Sequence, residues 1–245
     1  MSPVWSGLQK SEEMVWIRYA GWKMHCLGGR VLKPEILDTL SPSEARASLQ
    51  DLVRINRWWG GHATLKHLLG GCAKPGEAFS FLDIGAASGD MGRCVRRWYP
   101  EARVASLDYV ASHLTDSSGP RIVADAFRLP FRPRSFDYVF CSLFLHHFTD
   151  EQVVTLLRNF GEVARRAVLV IDLERNPIAY YFIPWSKFLL GWDAVTAHDG
   201  PISVEAAFRR EELVELAQRA GLRNPRARVF RPAFRIAMSA ECDML

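Results

Sequence analysis

The sequence predicts an α/β protein built on an open, mostly parallel sheet, and three observations carry that reading. Short apolar segments rich in β-branched and aromatic residues recur at 78–84, 102–107, 121–124, 136–142 and 166–172, with helix-like stretches between them. That alternation is the pattern of parallel strands joined by helical crossovers. The segment FLDIGAASGD at 81–90 runs an apolar strand into a turn bearing Gly85 and Gly89, then into a helix start near Asp90. Asp108 and Asp125 close the next two strands, spaced as a nucleoside-binding sheet requires.

With 245 residues and 49% hydrophobic content, the chain has enough apolar surface for one substantial core. Its 31 lysines and arginines are interleaved with 27 acidic residues for a net charge of +4, so nucleic acid is not favoured as a partner. Five cysteines, Cys26, Cys72, Cys94, Cys141 and Cys242, are scattered without a C-x-x-C pair. This argues against a disulfide framework and against a zinc site, and it suits a reducing cytoplasm. The opening residues lack the basic head, apolar run and cleavage site of a secretion signal, so the expected location is cytoplasmic. The most apolar window, 177–192, carries Pro184 and Lys187 and falls short of the roughly 20 residues that span a bilayer. It is expected to be an amphipathic covering helix.

In chain order, residues 1–40 hold Trp5, Trp16 and Trp22 but show no sustained period, and no element is assigned to them. Ser41-Pro42-Ser43-Glu44 is a capping box with proline at the first helical position. Leu49, Leu52, Val53 and Asn56 then share one helix face until Gly60-Gly61, and a second helix covers 62–69. These helices complete an N-terminal helical cap, residues 1–75, ahead of a core at 76–245. Within the core, helices are expected at 90–98, at 150–164 through Val153, Leu156, Leu157 and Phe160, and at 210–220 through Leu213, Leu216 and Ala217. Gly221 ends the last of them. A helical lid occupies 176–205, after the fifth strand. The tail at 226–239, broken by Pro232, forms two short strands that close the sheet in hairpin fashion.

Taken together, FLDIGAASGD, LPFRPRSFDYVFCSLFLHHF, VARRAVLVIDLERNPIAY and HDGPIS make residues 76–240 resemble the class I S-adenosylmethionine-dependent methyltransferases. The likeness is nearest to the small-molecule enzymes of ubiquinone and menaquinone biosynthesis and their bacterial relatives associated with aromatic polyketides. It implies a Rossmann-like, mostly parallel seven-stranded sheet with helices on both faces and the last strand antiparallel. It also implies S-adenosyl-L-methionine as cofactor, and assigns Asp83, Gly85, Ala86, Ala87, Ser88 and Gly89 to the turn that holds its methionine part. Ala87 departs from the family's glycine, so its backbone either avoids positive φ or accepts strain.

By the same resemblance Asp108, followed by Tyr109, accepts from the ribose hydroxyls, while Asp125 and the Ala126 amide address the adenine. The plain alternative for Asp108 is a cap on the Tyr109-Val110 turn. Ser142, Leu143, Phe144 and His147 leave the carboxyl end of the fourth strand, where ligands bind in open parallel sheets. His146 or His147 is suited to take a phenolic or enolic proton, or else the pair packs against the cofactor. His198, polarised by Asp199 in a turn after the lid, is a second base unless Asp199 merely stabilises that turn. Tyr180, Tyr181, Phe182 and Trp185 are expected to shape an apolar pocket, and Arg57 to reach the cofactor carboxylate.

The resulting expectation is a methyltransferase acting on a hydrophobic aromatic or polyketide-like small molecule, with O-methylation favoured over C-methylation. A second reading is an RNA or protein methyltransferase that uses Arg223, Arg226, Arg228, Arg231 and Arg235 as a basic surface. A third is a catalytically silent scaffold, which the Ala87 departure leaves open. A dehydrogenase is disfavoured because no G-x-G-x-x-G opens the chain.

Overall fold

A computed structural model of the chain describes residues 28–242; Trp5, Trp16, Trp22, Cys26 and the first part of the expected cap lie outside the described residues. Seven strands, β1 (Ser80–Ile84), β2 (Arg103–Asp108), β3 (Arg121–Val123), β4 (Phe136–Ser142), β5 (Ala164–Leu173), β6 (Arg223–Phe230) and β7 (Arg235–Glu241), form one sheet in the order β3-β2-β1-β4-β5-β7-β6. The first five pair in parallel, and β7 inserts antiparallel between β5 and β6. The sheet is therefore Rossmann-like, with its last strand antiparallel. The sixth strand starts three residues before the sequence-based boundary, and its register shifts between Arg223 and Arg226. Pro225 lies in that interval, on the sheet's outer edge, where a missing N–H breaks no ladder bond that the partner needs.

Period-two alternation along the strands builds a core on each face. Leu82, Ile84, Val139, Cys141, Val168 and Val170 pack on one side against α4 (Asp150–Val163) and α7 (Arg210–Arg219). Phe81, Phe140, Leu169, Ile171 and Ala237 face the other way, toward α2 (Gly61–Gly70) and α3 (Asp90–Trp98). Two capping boxes fix helix starts: Ser41 with Glu44 at α1 (Pro42–Trp58), and Thr149 with Gln152 at α4. Among the described residues no helix is long and apolar enough to cross a membrane, and none of Cys72, Cys94, Cys141 and Cys242 forms a disulfide.

After β5 come α5 (Pro177–Leu190) and α6 (Ala194–Ala206). The expected turn at His198-Asp199-Gly200-Pro201 lies inside α6. Asp193 starts that helix firmly, accepting hydrogen bonds from the Val195 N–H and the Ser48 hydroxyl, both at 3.0 Å. Gly200 is needed for close packing rather than for a turn, since a Cβ there would sit 3.0 Å from Ile183 Cδ1 of α5.

The N-terminal helices are tied to the core through one acidic residue. Asp90, the first residue of α3, accepts from Asn56 Nδ2 of α1 at 3.3 Å and meets His62 Nε2 of α2 at 2.9 Å. The Asp90 carboxylate, with help from Cys94, raises the pKa of His62 to about 9. A pKa raised in the folded state stabilises fully below the unfolded value near 6.5 and loses that contribution as pH climbs through 9. The melting temperature is therefore expected to fall between pH 6.5 and 9, and to fall less in the His62→Gln variant. Equal slopes in the two proteins would show that the bridge contributes nothing.

Candidate functional site

A cavity of about 630 Å³ opens at the carboxyl edge of the parallel strands, within the usual range for a small-molecule site. Gly85, Ala87, Asp108, Tyr109, Asp125, Ala126 and Phe127 line one end. Leu40, Leu49, Leu52, Ile55 and Ile183 supply an apolar wall from the cap helix and the lid, and Leu143, Phe144, His146 and His147 lie between.

The turn after β1 is held by backbone bonds from Ala86 N to Leu107 O at 3.0 Å and from Gly89 N to Ala86 O at 2.7 Å. Gly85 has φ +65°, and a Cβ there would lie 2.5 Å from a Phe144 ring carbon. Ala87 takes φ +45° and so accepts the strain that glycine would avoid. What holds it is Asp108, whose Oδ2 accepts the Ala87 N–H at 2.9 Å. Oδ1 accepts from Val110 N at 2.9 Å, so Asp108 caps its own turn while also facing the cavity. Each carboxylate oxygen keeps capacity for a further hydrogen bond. Asp125 Oδ1 accepts from Phe127 N at 2.8 Å, which fixes the neighbouring wall.

Asp83, Ser142 and Arg235 stand at the cavity-side ends of β1, β4 and β7, in phase with the residues that face α2 and α3. Asp83 Oδ2, Ser142 Oγ and the Nε and Nη1 of Arg235 are buried without hydrogen-bond partners among the described residues. Burial, reinforced by the Asp90 charge, raises the Asp83 carboxyl well above its ordinary value. A glycine turn under a cavity, a carboxylate at the end of β2 and unsatisfied polar groups beside them fit an adenosyl ligand with an amino-acid tail.

Asp172 organises the other half. It is fully buried, and its Oδ1 lies 2.6 Å from His146 Nδ1. Oδ2 accepts from the N–H groups of Leu145 at 3.0 Å and His146 at 3.3 Å, and Leu173 N donates to Oδ1 at 2.8 Å. Burial works to raise this carboxyl, but the His146 charge and these hydrogen bonds hold it below its usual value. An ionised Asp172 can only accept, so His146 Nδ1 carries the proton and its Nε2 is left on the cavity side. Glu35 Oε1 lies 3.7 Å from that Nε2 and 4.0 Å from His147 Nδ1, and it accepts the Ser203 hydroxyl at 2.6 Å. The ligand atoms of Glu35, His146 and His147 lie within 4.8 Å of one another, a spacing that suits a proton relay or a divalent cation.

Several sequence-based expectations are corrected. Arg57 points to solvent from α1 and is not on the cavity wall. His198 pairs with Asp199 at 2.8 Å but faces outward; Asp199 itself reaches the cavity and accepts from the N–H groups of Ile36 and Leu37 at 3.1 and 3.0 Å. Asp83, Ala86, Ser88, Gly89 and Ser142 lie in the turn and at the strand ends beside the residues that line the cavity. Of the lid aromatics, Phe182 packs on Trp59 at 5.3 Å and Tyr180 packs beside Ala179 and Val204, whereas Tyr181 and Trp185 are exposed. The proposed basic surface is also reduced: Arg231 pairs with Glu174 at 2.7 Å, and Arg235 is buried at 1% exposure. Glu35, Asp172 and Thr196 on or beside the wall were assigned no role from sequence, and Arg235 only one on a basic surface.

Residues 82–171 match the family described as Methyltransferase domain. A demethylmenaquinone methyltransferase of Thermotoga maritima is 29% identical, across 45% of this chain and 54% of that protein. The namesake from a Roseiflexus species is 27% identical, across 61% of this chain and 70% of its own. The chain thus spans about half the length of the first of these relatives. Human N-acetylserotonin methyltransferase, solved in complex with S-adenosylmethionine, shares the fold at a TM-score of 0.61 and 15% identity, covering 83% of this chain and 57% of that one.

The strain at position 87 is open to measurement. Ala87→Gly removes a left-handed alanine, at about 1–2 kcal/mol, and adds unfolded-chain entropy, at about 0.4–1 kcal/mol. A net gain of about 0.5–1 kcal/mol is expected in urea unfolding. A loss of stability would contradict the positive φ.

Proposed function

We propose, on the premise that this chain belongs through residues 82–171 to the class I S-adenosylmethionine-dependent methyltransferases, that it O-methylates a hydrophobic aromatic or polyketide-like small molecule. The observation that carries the choice of O-methylation is the buried Asp172–His146 pair, which presents an imidazole to the cavity. Both curated relatives are named as methyltransferases of a small molecule, which supports a small-molecule acceptor.

The cofactor, when bound, supplies an electrophilic methyl group on a sulfonium sulfur. Asp108 at the end of β2 would hold its ribose, and the Gly85–Gly89 turn at the end of β1 its methionine part. The described part of the cap, residues 28–75, and the lid, residues 176–205, roof the cavity; Leu49, Leu52 and Ile55 from the one and Ile183 and Thr196 from the other exclude water and orient a flat acceptor. His146 Nε2 receives the acceptor's hydroxyl proton, and Asp172 holds the ring and balances the imidazolium. Glu35, 3.7 Å away, adds negative charge beside that proton.

Titration calorimetry with S-adenosylhomocysteine tests the cofactor half, and no heat of binding at about millimolar ligand, the weak end of the affinity scale, would overturn it. With a phenolic acceptor, His146→Gln is expected to lower kcat by about 10²- to 10⁴-fold and leave S-adenosylhomocysteine affinity nearly unchanged. A variant that keeps wild-type kcat would remove the base from the mechanism.

A further inference from the structure

No step of the proposed methyl transfer uses Arg235. It is the first residue of β7, paired with Leu173 on β5, and because β7 runs antiparallel its start lies at the cavity edge of the sheet. The side chain is 1% exposed, lines the cavity, and has neither Nε nor Nη1 bonded among the described residues.

The protein's other buried arginine shows what a structural role looks like here. Arg175 forks onto Glu212, with Nη1 at 3.0 Å from one oxygen and Nη2 at 2.5 Å from the other, and it also donates to Ala207 O at 2.7 Å. Arg235 has no such partner. The two carboxylates whose charge it feels, Asp172 and Asp90, are engaged by His146 and backbone N–H groups and by Asn56 and His62. Desolvation brings its pKa down to about 10, which leaves it cationic at neutral pH. A buried cation without a committed counter-ion is costly unless a ligand completes it.

We propose that Arg235 binds the carboxylate of a molecule held in the cavity. A monoanion matches a single guanidinium already flanked by two acidic residues. β7 stands four strand positions from β2, about 19 Å at ~4.8 Å per strand, so the Arg235 backbone lies across the sheet edge from Asp108. Two sources supply the same chemistry: the amino-acid tail of the cofactor, which rests on the methyltransferase reading, or a carboxylate on the acceptor, which does not.

The test compares the wild-type chain with Arg235→Gln and Arg235→Met by calorimetry. The probes are S-adenosylhomocysteine, 5′-methylthioadenosine, which lacks the amino-acid tail, and benzoate against benzamide. If the cofactor tail is the ligand, Arg235→Gln weakens S-adenosylhomocysteine by about 10- to 100-fold and leaves 5′-methylthioadenosine unchanged. If the acceptor is the source, both nucleosides bind as in wild type while benzoate loses a similar factor and benzamide does not. Wild-type affinities for every probe in the variant, or no carboxylate bound by the wild-type chain, would overturn the assignment. Failure of both nucleosides to bind wild type sinks the cofactor reading alone, and the benzoate comparison still decides Arg235. Ligand-free Arg235→Met is expected to melt no lower than wild type, because it removes an unpaired buried charge; a marked fall in both variants would mark a structural residue and contradict the proposal.

Discussion

Asp172 is where the sheet, the turn after β4 and the imidazole meet, and the arrangement of the cavity depends on it. Its two oxygens take four hydrogen bonds, three from backbone and one from His146. Bonds to an ionised carboxylate contribute about 1.5–3 kcal/mol each, which offsets the desolvation of a fully buried charge only because every partner is present. The same turn is gripped from outside by Arg30, which donates to Phe148 O at 2.9 Å and Ala206 O at 2.8 Å, pairs with Asp150 and stacks 4.0 Å over Phe208. Residues 28–40 are thereby fastened across the cavity mouth, which brings Glu35 within reach of His146.

Backbone strain gathers at the same edge. Ala87 and Leu143 both have positive φ, +45° and +51°, and both line the cavity. Side chains in that region cost about 1–3 kcal/mol each and persist where surrounding bonds over-determine them, as Asp108 does for Ala87 and the Ile171 carbonyl does for Leu143 at 2.9 Å. Two strained turns, an orphaned guanidinium and, beneath them, a buried acid whose pKa is raised mark a surface shaped for a ligand rather than for stability.

The sheet was legible in the sequence because both of its faces are buried, so apolar runs such as those of β4 and β5 stand out from their helices, and the Ser41–Glu44 capping signal is purely local. Much of the cavity was not legible. Glu35 and Arg30 sit in an aperiodic segment whose partners are more than 100 residues away, and no local pattern announces such contacts. The Gly200-Pro201 pair carries a breaker signal, yet the glycine serves helix packing against Ile183 and the Asp193 cap keeps α6 intact. Arg235 resembled its arginine neighbours in composition; its burial follows from the antiparallel insertion of β7 beside β5, a tertiary fact. Asp172 was visible as a strand-end acid, but its partner is fixed only when β4 and β5 pair.

The most direct test of this account is the protonation of His146, read by ¹⁵N–¹H correlation NMR of the imidazole at neutral pH. The hydrogen bond to Asp172 requires a protonated, strongly deshielded Nδ1. A ring with its proton on Nε2 and none on Nδ1 would contradict it.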